Sequence, residues 1–181
     1  MIKLFHYTNG TKIRAIIDSN TIEASPKKPK PREKAVCWFS SNPLWEKTAN
    51  KIVMTGSGES KLLNMDETNE ICGGLFRFVI DSEQFINELY PYPRLATVAR
   101  IPDKIKKLLL KRAKKCGVKP EEWWGIIGPV PVDRTTLEQY VDGKWVPVDM
   151  NTAKPTETGL NVVSGVTMKY LPTKDSEWDN V

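Results

Sequence analysis

The run Ala35 to Ser41 limits the possible folds more than any other segment of the chain. Every residue in it before the two final serines is apolar or aromatic. A strand that is apolar on both faces has to be covered on both sides, so this run predicts a central strand of a sheet. Asn42-Pro43 follows at once and favours the start of a helix that reaches about Lys51.

A second short strand, Leu4 to Asn9, carries the only histidine of the chain, His6, toward its end. The pair Asn9-Gly10 favours a turn there, and apolar residues at helical spacing predict a helix over Thr11 to Asn20. Functional sites are often built where a strand ends, and an ordinary structural histidine is the alternative. The spacing depends on three isoleucines, Ile13, Ile16 and Ile17.

Composition bounds the class of protein. The chain has 181 residues, 40% of them hydrophobic and 27% charged, which suits one globular core, and no apolar run approaches the roughly 18 residues that span a bilayer. The N-terminal run lacks the pattern of a signal peptide, so we expect a soluble, cytoplasmic protein. The cysteines are predicted to be reduced core residues: Cys37, Cys72 and Cys116.

Metal sites receive little support from the sequence. One histidine and the absence of a C-x-x-C pair argue against zinc. A magnesium site built from carboxylates alone stays open, because acidic residues are plentiful and their spacing carries little information.

Two basic segments accompany a formal net charge of +5 and a pI near 9.0. Pro26 to Lys34 is a proline-interrupted loop, either a solvated linker or a phosphate-binding lid. Pro102 to Cys116, ended by Gly117, predicts a long helix whose charges after Asp103 are all positive. We expect an anionic partner, a nucleotide or a nucleic acid.

The remaining pattern predicts strands over Gly73 to Ile80 and Leu95 to Arg100, and a long surface loop between Met54 and Asn69. The clearest short-range signal is Asp142-Gly143, which predicts a hairpin between Leu137–Val141 and Lys144–Val148. We therefore expect a first domain over residues 1–150 and a partly ordered C-terminal extension over 151–181. Two apolar pairs stand out in that extension, Val162-Val163 and Tyr170-Leu171.

The order of a histidine strand, an aromatic strand and a late glutamate resembles the ADP-ribosyltransferase superfamily, and within it the DarT-like DNA-modifying toxins. The matching residues are Phe5 to Asn9, Arg32 ahead of Val36 to Phe39, and Glu122 ahead of Val130-Pro131. The resemblance spans roughly residues 2–148. It implies an α+β fold in which a split pair of small, mostly antiparallel sheets, with flanking helices, surrounds an NAD cleft.

The resemblance also implies NAD as co-substrate and a set of residues that bind it. His6 would hydrogen-bond the adenosine-side ribose, with Thr8 beside it on the same strand face. Ser40 follows His6 in family order. An aromatic ring would stack on nicotinamide, with three candidates: Tyr7, Trp38 and Phe39.

Two residues are implied as catalytic. Arg32 would approach the pyrophosphate or the nicotinamide-side ribose with its planar set of donors. Glu122 would bind a hydroxyl of the nicotinamide ribose and stabilise positive charge as the glycosidic bond breaks. ADP-ribose would pass to a macromolecular acceptor, which could be DNA, RNA or protein.

Alternatives to this assignment remain open at the sequence level. Glu121 and Glu138 lie in the same third of the chain as Glu122, and a shift of one residue would put Trp123 at the critical place and make the protein a pseudoenzyme. Acidic residues after Lys119-Pro120 also suit the first turn of a helix.

Two further functions fit the same fold. One is a non-catalytic protein that binds a nucleotide or nucleic acid. The other is an NAD-consuming RNA-repair phosphotransferase, which the single histidine disfavours. The oligomeric state is not indicated.

Overall fold

The structure is a computed structural model that describes residues 1–27, 29–54 and 59–156. Its helices are α1 (Gly10–Asp18), α2 (Met65–Ile71), α3 (Tyr92–Val98) and α4 (Asp103–Cys116). Its strands are β1 (Lys3–Asn9), β2 (Thr21–Ile22), β3 (Val36–Ser40), β4 (Ile52–Met54), β5 (Ser60–Leu62), β6 (Leu75–Asp81), β7 (Leu89–Pro91), β8 (Trp123–Ile127), β9 (Val130–Pro131), β10 (Thr136–Val141) and β11 (Lys144–Pro147).

A seven-stranded sheet dominates the fold, in the order β11-β10-β6-β1-β3-β8-β7 with every neighbouring pair antiparallel. Two small two-stranded sheets, β2 with β9 and β4 with β5, lie outside it. The α+β class and the mostly antiparallel pairing are therefore confirmed. β1 and β3 are adjacent and central, as their apolar runs predict.

In place of the predicted split pair of small sheets, the structure has two halves of one sheet that meet at a single residue pair. β1 pairs with β6 through seven register positions, whereas it pairs with β3 through one, Phe5 with Ser40. We call this single-pair junction the seam. The seam joins a four-stranded half (β11, β10, β6, β1) to a three-stranded half (β3, β8, β7). The strands therefore form one continuous sheet in which the β1–β3 junction has the fewest backbone pairs.

The side chains alternate between the two faces of the sheet, and helices cover both faces. On one face Leu4, Phe78 and Phe39 pack with Ile13 of α1. On the other face of the three-stranded half, Val36 packs against α3 and α4. This double cover explains why β3 is apolar throughout.

Several predicted elements differ from the structure. The helix expected from Pro43 to Lys51 is wrong, since only a 3₁₀ turn, Lys47–Ala49, forms. The carbonyls of Asn42 and Pro43, which a helix would use internally, accept hydrogen bonds from Tyr7 and Arg77 of neighbouring strands.

Two other predictions were wrong for local reasons. The expected strand Leu95 to Arg100 is part of α3, which begins with Pro93 in its first turn, where proline favours a helix. The expected long loop between Met54 and Asn69 contains β5 and the start of α2. An Asn64–Glu67 capping box marks that start and could have been read from the sequence.

The long basic helix and the hairpin are confirmed. Gly117 ends α4 in the left-handed conformation at φ 64°, which glycine adopts at little cost. Asp142 and Gly143 both have positive φ between β10 and β11, as a tight hairpin turn requires.

The start of the expected extension packs on the domain. Ala153 is buried in the main core cluster, and the backbone N–H of Thr156 donates to the Gly73 carbonyl at 2.9 Å. The apolar pairs Val162-Val163 and Tyr170-Leu171 lie outside the described residues. Within the described ranges, every helix is too short or too polar to cross a membrane.

Candidate functional site at the seam

His6 bridges the seam. Its Nδ1 lies 2.8 Å from the carbonyl oxygen of Trp38 on β3. A carbonyl only accepts, so Nδ1–H donates this bond and the neutral ring keeps Nε2 as an acceptor. Burial lowers the pKa of His6, the bond to Trp38 opposes that shift, and the positive charge of Lys51 adds to it. The ring is therefore neutral at about pH 7 and offers an acceptor rather than a charge.

The residues that follow His6 on β1 are deeply buried. Thr8 is 7% exposed and Asn9 is 1% exposed. The Asn9 Oδ1 accepts from the Thr11 hydroxyl at 2.8 Å, while its Nδ2 has no hydrogen-bond partner among the described residues. The polar end of β1 is thus enclosed by protein.

The three candidate stacking rings differ in accessibility. Phe39 is buried with its ring 5.8 Å from that of His6, and Tyr7 is buried against Trp45 with its hydroxyl donating to the Asn42 carbonyl. Trp38 is half-buried and packs with Tyr92 and Trp123 on the sheet face opposite Phe39 and His6. Of the three, Trp38 is the least buried.

Ser40 and His6 lie on opposite faces of the sheet. Ser40 pairs with Phe5, and Phe5 and His6 alternate along β1. The Ser40 hydroxyl donates to Glu46 Oε2 at 3.1 Å and accepts from the Asn42 N–H at 3.2 Å. The structure therefore does not bring the two side chains together.

Glu46 is a buried carboxylate that sequence reasoning missed. Besides Ser40, it accepts from the Trp123 indole at 3.2 Å and from the N–H and hydroxyl of Thr48. These bonds tie the ends of β3 and β8 to the 3₁₀ turn. No sequence signal distinguishes Glu46 from an exposed glutamate, since the expected helix would have left it on a surface.

The structure separates the three candidate glutamates. Glu138 pairs with Arg77, with 2.5 Å between Oε2 and Nη2, and Glu121 is exposed. Glu122 is half-buried, and its side chain has no ion pair or hydrogen bond within residues 1–27, 29–54 and 59–156. Its backbone carbonyl accepts from the Ser41 N–H at 2.8 Å, which holds it beside the end of β3.

His6 and Glu122 thus flank β3 from opposite sides. His6 contacts it at Trp38 and Glu122 contacts it at Ser41, three residues along the strand, or about 10 Å. The two side chains that could act on a ligand here are a neutral acceptor and an unpaired carboxylate.

Arg32 lies away from Glu122. It is exposed, with φ 71°, in the loop that precedes β3, and the neighbouring Lys34 N–H donates to the Ala99 carbonyl. Glu122 lies at the other end of β3, and the strand alone separates those ends by about 13 Å. The structure does not place Arg32 and Glu122 side by side.

Two more charged residues, Lys51 and Arg77, lie near β1, and neither was predicted as a site residue. Lys51 is half-buried, and burial lowers its pKa. Arg77 lies on the sheet face opposite Phe76 and Phe78: its guanidinium carbon lies 4.1 Å from the Phe5 ring centre and 4.4 Å from the Trp145 ring centre.

No metal cluster is present in the part of the chain that the structure describes, counted as three or more histidine, cysteine, aspartate or glutamate side chains in reach of one ion. Cys37 and Cys72 are buried as free thiols, and Cys116 is half-buried. Comparison with known protein families, curated proteins and solved structures finds no match in any of the three.

Proposed function

We propose that this protein transfers ADP-ribose from NAD to a macromolecular acceptor, with the seam as the place where NAD binds. The observation that carries the proposal is the arrangement around β3. A neutral histidine crosses the seam on one side, and an unpaired carboxylate is held at the strand end on the other.

The His6 ring suits a sugar hydroxyl. Its Nδ1 is occupied by the Trp38 carbonyl, which orients the ring and leaves Nε2 to accept a hydrogen bond. Ribose hydroxyls are such donors. An acceptor without charge favours a neutral polyol over an anion, so His6 would contact a ribose rather than the pyrophosphate.

The reaction needs little from the protein beyond position and charge. The bond between ribose C1′ and the nicotinamide nitrogen breaks, and nicotinamide leaves with the bonding electron pair as a neutral molecule. The acceptor oxygen or nitrogen forms the new bond to C1′ and gives up its proton to solvent water. Positive charge builds on the ribose during this step, and the Glu122 carboxylate would stabilise it.

The other candidate residues take smaller parts in this proposal. Trp38 is the least buried of the three aromatics, but it alternates with Phe39 and so lies on the sheet face opposite His6; stacking on nicotinamide would require NAD to reach both faces. Tyr7, Phe39, Thr8 and Ser40 would shape the surrounding protein rather than contact NAD, since each is buried. Arg32 would need its loop to move in order to reach the pyrophosphate.

Replacement of Glu122 tests the proposal. A carboxylate that acts on transition-state charge contributes about 3–4 kcal/mol, so Glu122→Gln should lower the rate of nicotinamide release on the order of 10²–10³-fold. NAD affinity should change much less. Release is measured by chromatography, and affinity by isothermal titration calorimetry.

Glu121→Gln is the matched control, because it removes the same charge one residue away from an exposed site. It should leave the rate unchanged. Glu138→Gln is unsuitable, since Glu138 pairs with a buried arginine. If wild type neither binds NAD nor modifies any acceptor in a mixture of DNA, RNA and protein, the proposal fails.

Because the residues around the seam are mostly buried, the second candidate function is a non-catalytic protein of the same fold that binds a nucleotide. That function would retain NAD or nucleotide binding with no nicotinamide release from wild type. The calorimetric and chromatographic measurements above separate the two, because the first detects binding and the second detects turnover.

A further inference from the structure

The exposed face of α4 carries a concentration of positive charge that the seam does not use. Between Arg94 and Lys119 the chain has ten lysines and arginines and one acid, Asp103, so this stretch carries +9 while the whole chain carries +5. The remainder of the chain is therefore net negative. The basic character of this protein is a property of one region.

The lysines of α4 form a stripe. Five of them are exposed, and at 100° per residue they fall within an arc of about 100° on the side opposite the packed Leu109 and Ala113. The stripe is about 16 Å long at 1.5 Å per residue. Its members are Lys104, Lys107, Lys111, Lys114 and Lys115.

Such a stripe matches the phosphates of a nucleic acid. One strand of a duplex presents a phosphate about every 3.4 Å along the axis, so the stripe runs beside roughly five phosphates. Lysines on a helix surface can each neutralise one of them. The ion pair between Asp103 and Lys106, at 2.6 Å, involves a lysine outside the stripe.

Four further exposed cations belong to α3, which packs against α4, and to the loop bound to the end of α3. Arg94 and Arg100 lie in and just after α3, and the loop that holds Lys30 and Arg32 is fastened to the end of α3 by the bond from the Lys34 N–H to the Ala99 carbonyl. Tyr90 lies under Arg94, with 5.3 Å between the guanidinium carbon and the ring centre.

We propose that this face, the α4 stripe with the cations around it, binds the phosphate backbone of a nucleic acid that is the acceptor of the ADP-ribose. The acceptor part rests on the proposed function. The chain leads directly from the stripe to the candidate carboxylate: α4 ends at Cys116, Lys119 follows, and Pro120–Glu122 forms the 3₁₀ turn next to it. The C-terminal end of the stripe is therefore close to Glu122 along the chain.

An anionic membrane fits this face less well. A helix that lies on a bilayer needs a broad apolar face to insert. Ile105, Leu109 and Ala113 of α4 pack into the protein with Ala99 and Trp123, and Leu110, at 47% exposure, is the one large apolar side chain of this helix that is exposed.

Binding is measured by fluorescence anisotropy with labelled single-stranded and double-stranded DNA and RNA of about 20 nucleotides, using the full chain without NAD. Contacts with five phosphates predict an affinity that falls on the order of 10²–10³-fold between about 50 and about 200 mM salt. Replacing the five stripe lysines by glutamine should remove most of that affinity and flatten its salt dependence.

The control replaces five exposed lysines elsewhere by glutamine: Lys3, Lys12, Lys61, Lys144 and Lys154. It changes the net charge equally and should bind nearly as wild type does. Equal losses in the two variants would overturn the proposal, because they would show a general charge effect. Binding to vesicles of phosphatidylserine and phosphatidylcholine without binding to any oligonucleotide would overturn it as well.

The acceptor role is tested separately by mass spectrometry of the bound oligonucleotide after NAD is added. A mass increase of one ADP-ribose supports it. Stripe-dependent binding with no nicotinamide release means that the proposed function fails and the binding surface stands. Nicotinamide release with modification of protein alone means that the acceptor inference fails while the proposed function stands.

Discussion

β1 is held very differently on its two sides. Toward β6 it pairs at seven positions, from Lys3 to Asn9, and toward β3 it pairs only at Phe5. Each backbone hydrogen bond contributes about 1 kcal/mol net, so the β6 side is much the stronger connection. His6 crosses the weaker side to the Trp38 carbonyl, and the unpaired Glu122 lies beyond it, on the β8 side of β3. The backbone hydrogen bonds of β1 therefore stabilise mainly the four-stranded half, and few of them would have to change for a ligand to bind at the seam.

Side-chain contacts also stabilise the four-stranded half. The Arg77–Glu138 pair joins β6 to β10, and the Arg77 guanidinium also donates to the Pro43 carbonyl and lies between two aromatic rings. On the other side of the seam, Glu46 joins β3, β8 and the 3₁₀ turn with neutral donors. If the two halves differ in this way, substitutions in one half should leave the other half largely unaffected.

Arg77→Ala should give the largest effect. Removing one partner of a buried ion pair leaves the other charge uncompensated, and such changes cost about 3–5 kcal/mol. Urea denaturation followed by tryptophan fluorescence measures the free energy of unfolding.

The double variant Arg77→Met with Glu138→Leu is the control for Arg77→Ala. It removes both charges and should recover most of the lost stability, because an apolar pair of similar size carries no desolvation cost. A double variant no more stable than Arg77→Ala would mean that the aromatic and carbonyl contacts of Arg77, and not its charge pairing, hold this half together.

Glu46→Ala should have an intermediate effect on the three-stranded half. It leaves the Ser40 hydroxyl and the Trp123 indole without their buried acceptor, which costs about 1–3 kcal/mol in the free energy of unfolding. Glu46→Gln keeps one acceptor oxygen and should lose less. Hydrogen exchange of β8 amides should accelerate in the alanine variant while β6 amides stay protected, and equal acceleration in both strands would contradict the separation of the halves.

The sequence predicts the elements that depend on local pattern. The apolar run of β3, the Asp142-Gly143 hairpin and the Gly117 end of α4 each follow from residues within a few positions of one another. The segment after Ser40 does not, because its carbonyls are bound by Tyr7 and Arg77 from strands distant in sequence. Local propensity favoured a helix there, and tertiary contacts decided otherwise.

The site is less predictable than the fold for the same reason. Strand alternation was enough to put Thr8 on the His6 face, but not to show that Ser40 faces away, since that depends on the register across the seam. The choice among the three glutamates also depended on a partner 61 residues away, because Arg77 occupies Glu138. Nothing local to Glu138 signals this.

The smallest expected effect is at the seam itself and depends on pH. His6→Leu removes the bond to the Trp38 carbonyl, which contributes about 1 kcal/mol to stability, and offers no other donor at that position. Because burial lowers the pKa of His6 in the folded state, protonation favours the unfolded chain. The contribution of His6 is therefore complete above the unfolded pKa of about 6.5 and declines as the pH falls from there through the folded pKa. Urea denaturation of both proteins between about pH 5 and pH 8 should show wild type more stable at the alkaline end and the difference shrinking toward the acid end.

Carboxylates titrate in both proteins and cancel in that difference, and His6 is the only histidine, so no other imidazole contributes. A difference that stays constant with pH would mean that the ring titrates equally in the folded and unfolded states. A difference that grows toward acid would mean that the seam holds His6 as a cation. The neutral acceptor on which the proposed contact with ribose depends would then be absent.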